Sequence, residues 1–166
     1  MQNKMPVNPV IRPLTENDVP LFIDFFESLS LQSHTFFNPH GSDAESLEDI
    51  LKEIPRNPKV RRFMLSLVEN GQESMIGYVF FWDWHKKVPW FGIGLRDAYH
   101  GQGLGTRMMN FAIDFARQHG KGGILLTTAK TNIRAQGLYK KSGYILIGDA
   151  PDGEYLMILN FEDENV

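Results

Sequence analysis

Apolar positions in the first third of the chain follow the period of a helix. Five of them share one helical face: Leu21, Phe22, Phe25, Phe26 and Leu29. This 3.6-residue spacing predicts a helix over 15–29, with Thr15 as its N-cap. A short strand is predicted before it at 10–12, and a second helix follows over 44–54. The aromatic and His-rich segment 30–43 between the two helices is expected to be a loop.

The middle of the chain changes to the period of strands. Alternating apolar runs over 60–69 and 74–84 predict two strands, joined through an Asn-Gly dipeptide of the kind favoured in hairpin turns. A third strand is predicted over 88–96, and its interior contains Gly92 and Gly94. Interior glycines often mark a bulge or a close approach to the backbone, so this strand is expected to be irregular.

The last third of the chain alternates between helices and strands. The patterns predict a helix to about His119, a strand over 123–129, a helix over 132–143 and strands over 144–148 and 154–161. The resulting order, β-α-α-β-β-β-α-β-α-β-β, predicts one α/β (α+β) domain over 1–166 with a mixed sheet flanked by helices. Residues 1–9 are expected to form a flexible lead-in.

Composition restricts the chemistry more than the fold. Hydrophobic residues make up 42% of the 166 residues and charged residues 22%, which is typical of a globular protein. No apolar run approaches the ~20 residues that span a bilayer, so we expect a cytoplasmic protein without a membrane partner. The absence of Cys excludes disulfides and a Cys nucleophile. The five His residues have no metal-ligand spacing, and no metal is predicted.

Charge is distributed unevenly along the chain. The formal net charge of -3 argues against a nucleic-acid partner. The segment 86–141, however, holds ten Lys or Arg residues and two acidic residues, a net charge of +8, and the remainder carries -11. This asymmetry predicts an anion-binding half. The alternative is that the fold interleaves the two groups, so that their fields partly cancel.

Three glycines alternate at a predicted strand-to-helix junction in the sequence AYHGQGLGTRMM, at Gly101, Gly103 and Gly105. The first amides of a helix have no intrahelical partner and carry partial positive charge, so a bare backbone there can bind a phosphate or pyrophosphate. Neither the P-loop nor the G-x-G-x-x-G fingerprint is present. A tight turn is the plain alternative.

Two residues of the last predicted helix complete a candidate site. Asn132 and Tyr139 are seven residues apart, which is two helical turns, so they share one face. Asn132 also stands where an N-cap is expected. The alternative is a cap followed by a packing tyrosine.

Together these segments resemble the cofactor-binding half of the GNAT acetyltransferase superfamily. HGQGLG at 100–105 is similar to the family pattern Q/R-x-x-G-x-G/A, and NIRAQGLYKKSGY at 132–144 is similar to its N-x-x-A-x-x-x-Y-x-x-x-G-F-like helix and turn. The resemblance covers about a third of the chain, over 88–144, and the element order agrees with the family fold. His100 stands where the family has Gln or Arg, so whether it contacts the cofactor stays open.

The resemblance implies acetyl-CoA as co-substrate and a mostly antiparallel sheet whose strands splay at the cofactor site. It places the pyrophosphate on the main-chain N–H groups of six residues: Gly101, Gln102, Gly103, Leu104, Gly105 and Thr106. It places the pantetheine arm along the third long strand, near Ile93 and Leu95, with Asn132 also at the cofactor. Tyr139 matches the family position assigned to protonating the departing thiolate, which makes it the predicted catalytic residue, with donation of a hydrogen bond to the developing thiolate as its expected role.

The function implied is transfer of an acetyl group to a primary amine by direct attack. The acceptor, a small-molecule or protein amine, stays open, as does a homodimer. A CoA-binding sensor without turnover is an alternative, supported by the lack of a Glu in the strands at 88–96 and 123–129. A second alternative function is binding of a nucleotide phosphate by the same glycine-rich junction.

The general base that would deprotonate the acceptor is unassigned. Five residues are candidates, each also explained as a surface residue: Glu27, His34, His40, Asp83 and His85. The segment 32–41, in the loop between the first two helices, is the predicted determinant of acceptor specificity, because the family places this loop over the acceptor.

Overall fold

The computed structural model describes residues 8–40 and 44–161. Most of the lead-in predicted over 1–9 lies outside these residues. Of its last two residues, Pro9 is buried and Asn8 is exposed, and Asn8 Oδ1 accepts a hydrogen bond of 3.1 Å from Arg107 Nη1.

The described residues form seven strands and five α-helices. The strands are β1 Val10–Pro13, β2 Arg61–Glu69, β3 Gln72–Trp82, β4 Trp90–Leu95, β5 Gly123–Thr128, β6 Ile145–Asp149 and β7 Tyr155–Asn160. The helices are α1 Val19–Glu27, α2 Leu31–Phe36, α3 Ala44–Lys52, α4 Leu104–Gln118 and α5 Ile133–Lys141. The element order matches the prediction except for α2.

Helix α2 occupies the segment that was predicted to be a loop, and that prediction was wrong. The Ser30 side chain caps the helix by accepting a hydrogen bond from the Ser33 N–H at 3.1 Å. No residue of α2 is buried, so the segment lacks the apolar stripe by which a helix is recognised in a sequence.

The strands form one sheet in the order β1-β2-β3-β4-β5-β7-β6. Neighbouring strands are antiparallel except β4 and β5, which are parallel. The predicted fold class, a mixed and mostly antiparallel sheet flanked by helices, is confirmed. The hairpin between β2 and β3 is also as predicted, because Asn70 (φ 51°) and Gly71 (φ 75°) both take the left-handed conformation of a two-residue turn.

Helices cover both faces of the sheet, so its central strands are apolar on both sides. In β2, Phe63 and Leu65 pack with α4, whereas Met64 between them packs with α1 and α3. The side chains of a strand point alternately to opposite faces, which explains the unbroken apolar run. The stripe predicted for the first helix is buried at Phe22, Phe25, Phe26 and Leu29.

Candidate active site

A cleft opens between β4 and β5 because these parallel strands meet only at one point. Among the described residues their one bridge joins Trp90 to Leu125, and the strands diverge beyond it. The resulting cleft has a volume of about 1,100 Å³. The splay that the resemblance implied is therefore present.

The divergence leaves main-chain groups of β4 facing the gap. Arg96 N–H donates to a carbonyl of β3 at 2.8 Å, whereas Pro89 O on the other edge accepts from Leu125 N–H at 3.0 Å. Main-chain groups of successive strand residues point to opposite edges. Ile93 and Leu95, the two predicted cofactor contacts on this strand, therefore direct their amides into the gap.

His100 holds the end of β4 in place. Its Nε2 lies 3.0 Å from the Leu95 carbonyl oxygen, and because a carbonyl only accepts, Nε2 carries the proton in this hydrogen bond. The ring lines the cleft while bonding to the protein's own backbone. His100 thus has a local structural role in the place where the family has Gln or Arg.

The glycine junction has a bare, left-handed backbone at two positions. Gly101 has φ 75° and Gly103 has φ 79°, and Gly103 is the N-cap of α4. The first hydrogen bond of the helix runs from Arg107 N–H to Gly103 O at 3.1 Å, so the amides of 104–106 precede it. A Cβ added at Gly101 or Gly103 would meet no protein atom within 4 Å. The loop therefore borders open space, as an anion site requires.

Gly105 differs from the other two glycines. It lies within α4, and a Cβ there would stand 3.5 Å from a methyl group of Leu138. A contact at this distance is an ordinary van der Waals contact, so neither a left-handed turn nor the packing of α4 against α5 requires a glycine at this position. Gln102, between the left-handed glycines, donates a side-chain hydrogen bond to Ala98 O at 3.3 Å.

Gly92 and Gly94 do not create a bulge, so that interpretation of the glycine pattern was wrong. The pairing of β4 with β3 runs without a register shift from Trp90 to Leu95. An added Cβ would overlap the ring of Phe80 at Gly92 and the ring of Phe37 at Gly94. The close approach predicted for these glycines is therefore made by aromatic side chains packed on the strand.

The cleft brings together residues from both predicted motifs. Five predicted site residues line it: Ile93, Leu95, Gly105, Asn132 and Tyr139. The other five precede or flank Gly105 and stand outside the lining: Gly101, Gln102, Gly103, Leu104 and Thr106. Asn132 is an N-cap as predicted, since its Oδ1 accepts from Ala135 N–H at 3.3 Å.

Tyr139 is nearly enclosed but its hydroxyl is unpartnered. The residue is 7% exposed, and none of the described residues forms a hydrogen bond with its hydroxyl. No fully enclosed side-chain polar atom of the described residues lacks a partner, so the hydroxyl opens on the cleft. Burial, with the negative charge of Glu154 adding to it, raises the pKa of Tyr139. The hydroxyl therefore stays protonated and can donate.

The five candidate bases do not line this cleft. Asp83 pairs with Lys86 at 3.3 Å. His40 is not a surface residue, contrary to the alternative given for it: its Nε2 lies 3.0 Å from the Tyr78 hydroxyl, which accepts from Arg62 Nη1 at 2.6 Å. Burial, with the charge of Arg62 adding to it, lowers the pKa of His40 to about 3. His40 is thus a neutral, half-buried residue whose ring packs against the aromatic side chains of Phe22, Tyr78 and Phe80.

Sequence reasoning missed the cleft residues of the β6–β7 hairpin. Asp152 and Glu154 line the cleft, although their sequence, APDGEY, has only the composition of a turn. They reach the site because β7, which follows them, pairs with β5. Nothing in the local sequence indicates this pairing.

The basic segment 86–141 is partly neutralised by the rest of the chain. Three of its cations pair with carboxylates outside it: Lys86 with Asp83 at 3.3 Å, Arg96 with Asp24 at 2.6 Å and Lys130 with Asp149 at 2.9 Å. At these three positions the fold places acidic residues from outside the basic segment next to its cations. This is the alternative given above to an anion-binding half. Arg134 is a cation of the segment that lines the cleft.

Within the described ranges, no helix is both long and apolar enough to cross a membrane. The same residues contain no group of three or more His, Asp or Glu side chains arranged to hold a metal ion.

Comparison with known proteins identifies the class to which this fold and cleft belong. Residues 24–144 match the model of the GNAT acetyltransferase family. This match covers more than half of the chain, so the chain belongs to the GNAT family.

Individual relatives are distant. The chain is 23% identical over 107 residues to a streptothricin acetyltransferase of Streptomyces lavendulae, a match that covers 60% of this chain and 57% of that protein. The chain thus matches little more than half the length of this curated relative.

Solved structures share the fold at low identity. A ribosomal-protein-S5-alanine acetyltransferase from Vibrio fischeri superposes with a TM-score of 0.77 at 16% identity, covering 92% of this chain and 93% of that one. A spermidine N-acetyltransferase from Vibrio cholerae, in complex with CoA and spermine, superposes with a TM-score of 0.75 at 18% identity, covering 92% and 95%.

Proposed function

We propose that this GNAT-family chain transfers an acetyl group from acetyl-CoA to a primary amine by direct attack. The observation that carries the proposal is the cleft between β4 and β5, with a bare helix start beside it and the Tyr139 hydroxyl open to it. One end is suited to an anionic diphosphate, and the interior presents a hydrogen-bond donor to a leaving group.

The residues fit CoA in three respects. The amides of 101–106 stand at the positive end of the α4 dipole, and open space lies over Gly101 and Gly103. The main-chain groups of Ile93 and the N–H of Leu95 face the gap, where they would pair with an amide-bearing arm, whereas the Leu95 carbonyl is bonded to His100 Nε2 at 3.0 Å. Asn132 lines the same cleft at the start of α5.

Acetyl-CoA, when bound, supplies a thioester carbonyl carbon to which the amine nitrogen forms a bond as the carbon–sulfur bond breaks. The acceptor ammonium first loses one proton to solvent, and the second N–H proton passes to the sulfur. Tyr139, with its raised pKa, donates a hydrogen bond to the departing sulfur and keeps its own proton. Full proton transfer from Tyr139 to a thiolate of ordinary pKa ~8.5 would be uphill.

Deprotonation of the acceptor remains without an assigned base. Converting a lysine-like ammonium of pKa ~10.4 to its neutral form at pH 7 costs about 4.6 kcal/mol of free energy. The cleft-lining carboxylates are Asp97, Asp152 and Glu154. Asp97 Oδ1 accepts a hydrogen bond of 3.3 Å from Ser30 N–H, so it is committed to the start of α2.

The proposed acceptor is a primary amine of either a small molecule or a protein. Relatives and structural neighbours are named for streptothricin, spermidine and a ribosomal-protein alanine, which supports an amine acceptor. Part of the predicted specificity segment 32–41, from Gln32 to Pro39, contributes to the cleft wall. Its Gly41 lies outside the described residues.

Release of free thiol from acetyl-CoA across a panel of amines tests the proposal. We expect release that depends on both an amine and the protein. CoA binding without turnover for every amine would favour the sensor alternative. Calorimetry with ATP and NAD beside CoA tests the nucleotide alternative, which tighter binding of ATP would support.

A homodimer and a cytoplasmic location stay predictions. Strand β6 is an edge of the sheet and exposes three successive apolar residues, Ile145, Leu146 and Ile147. Light scattering on the purified chain would measure its mass in solution and decide between monomer and dimer.

A further inference from the structure

One wall of the cleft carries two carboxylates that form no ion pair with any described residue, although one cation, Arg134, lines the same cleft. Asp152 and Glu154 both line the cleft, and neither forms an ion pair in the described part of the chain. The nearby Asp149, by contrast, is paired with Lys130 at 2.9 Å. The unpaired negative charge is thus confined to the part of the hairpin that faces the cleft.

The backbone of the hairpin fixes where Glu154 stands. Its carbonyl accepts from Ala150 N–H at 2.7 Å, and its N–H donates to Asp152 Oδ1 at 3.0 Å. The next residue, Tyr155, pairs with Thr128 at the end of β5. Glu154 is therefore held at the open end of the splay, whereas Asp152 shapes the turn beneath it.

A second, independent observation shows that this wall faces a ligand position. The Tyr139 side chain is more than nine-tenths buried, and its hydroxyl opens on the same cleft without a protein partner. Buried polar groups are normally hydrogen-bonded. The open hydroxyl marks a ligand position in the cleft, and the unpaired carboxylates that line the same cleft favour a positively charged group beside it.

The reacting amine itself does not suit this wall. A carboxylate beside an ammonium stabilises the charged form and raises the amine pKa, which would oppose the deprotonation that attack requires. A second ammonium group on the acceptor stays protonated throughout the reaction. A carboxylate can therefore bind this group without opposing deprotonation of the amine that attacks. Aromatic side chains of the same cleft, from Phe36, Trp82 and Trp90, can also contact an organic cation through their ring faces.

We infer that Glu154 binds a second positive charge on the acceptor, so that the enzyme selects amines that carry another cationic group. This inference rests on the proposed function and adds a substrate class, the polycationic primary amines, with Glu154 as its specificity residue. Glu154 positions the acceptor and takes no part in the transfer of the acetyl group.

Binding and turnover with acceptors matched in length test the inference. α,ω-Diamines and alkylamines of equal chain length are titrated into the CoA-bound protein, and the ratio of their dissociation constants is measured. We expect diamines to bind about tenfold more tightly, a ratio that corresponds to about 1.4 kcal/mol. In Glu154→Gln the ratio should fall toward one. In the control Asp149→Asn, which removes a carboxylate of the same hairpin outside the cleft, the ratio should persist.

The outcomes separate this inference from the proposed function. A ratio near one in the parent protein, or an unchanged ratio in Glu154→Gln, would overturn the role of Glu154. Thiol release with the same amines tests the acetyltransferase proposal separately. If turnover occurs, the preference for diamines should appear in KM rather than in kcat, because Glu154 contacts a group that does not react.

Discussion

Trp90 and Leu125 form the one bridge between β4 and β5 in the described residues, and Ile93 and Leu95, the cofactor contacts predicted on β4, lie beyond it. Had the parallel pairing continued, the main-chain groups of Ile93 and Leu95 would have been occupied by β5. Because it stops, the sheet itself supplies a polar slot, bordered by the glycine junction at the start of α4 and by Tyr139 on α5.

Gly103→Val should weaken CoA binding at least tenfold. The new side chain would project into the space over the α4 amides, where the protein has no atom within 4 Å. Calorimetric titration with CoA measures the loss. The left-handed backbone also makes the substitution costly, by roughly 1–2 kcal/mol of folding stability.

Gly120→Val is the matched control for that strain. Gly120 has φ 73° and open space around it, but follows the other end of α4. The variant Gly120→Val should lose about as much folding stability as Gly103→Val, and it should bind CoA as tightly as the parent protein. Equal CoA affinities for the two variants would remove the glycine junction from the site.

Tyr139→Phe should lower kcat about 100-fold and leave the dissociation constant of CoA unchanged. The reason is that its unpartnered hydroxyl is the donor assigned to the departing sulfur, and one such donor is worth about 10²-fold in rate. Tyr144→Phe is the control: this hydroxyl contacts Met109 Sδ at 3.7 Å inside the core. If both variants turned over at the parent rate, Tyr139 would be a packing residue.

Gly92→Ala should reduce the free energy of unfolding by about 1–3 kcal/mol, because its Cβ would overlap the distal ring atoms of Phe80. Leucine lacks those atoms. The double variant Gly92→Ala/Phe80→Leu should therefore lose less unfolding free energy than the sum of the losses of the two single variants. The difference, which is the coupling free energy, should be at least ~0.5 kcal/mol. Urea denaturation measures all three variants, and strict additivity would contradict the contact.

Acid should destabilise the fold through His40. Its folded pKa of about 3 lies below the ordinary value of 6.5, so the unfolded chain binds the proton first as pH falls. The stabilising contribution is complete above pH 6.5 and declines toward pH 3, with a loss of about 2 kcal/mol at pH 5. Unfolding by urea at pH 7 and pH 5 should show a smaller pH dependence in His40→Gln than in the parent. The same dependence in both proteins would place His40 in contact with solvent.

The sequence predicts those elements whose information is local. The apolar period located α1 and α4, Asn70-Gly71 specified a hairpin, and Asn132 capped α5 because its side chain bonds three residues onward. Two of the failures depend on contacts between residues that are far apart in the sequence. The ring of Phe80 that requires Gly92 comes from β3, and the position of Glu154 depends on the order β5-β7-β6.

The burial of His40 shows the same limit. Its partners, Arg62 and Tyr78, lie 22 and 38 residues away on adjacent strands, so the local sequence around His40 did not indicate that its ring is partly buried. Helix α2 was missed for a different reason, since a helix with no buried residue has no hydrophobic period to detect.

A crystal structure with CoA bound tests the central claim most directly. We predict diphosphate oxygens within hydrogen-bonding distance of main-chain N–H groups between Gly101 and Thr106, and the pantetheine arm along Ile93 and Leu95 in the gap beside β5. A diphosphate bound elsewhere, or a gap closed by the protein's own strands in the complex, would contradict the account.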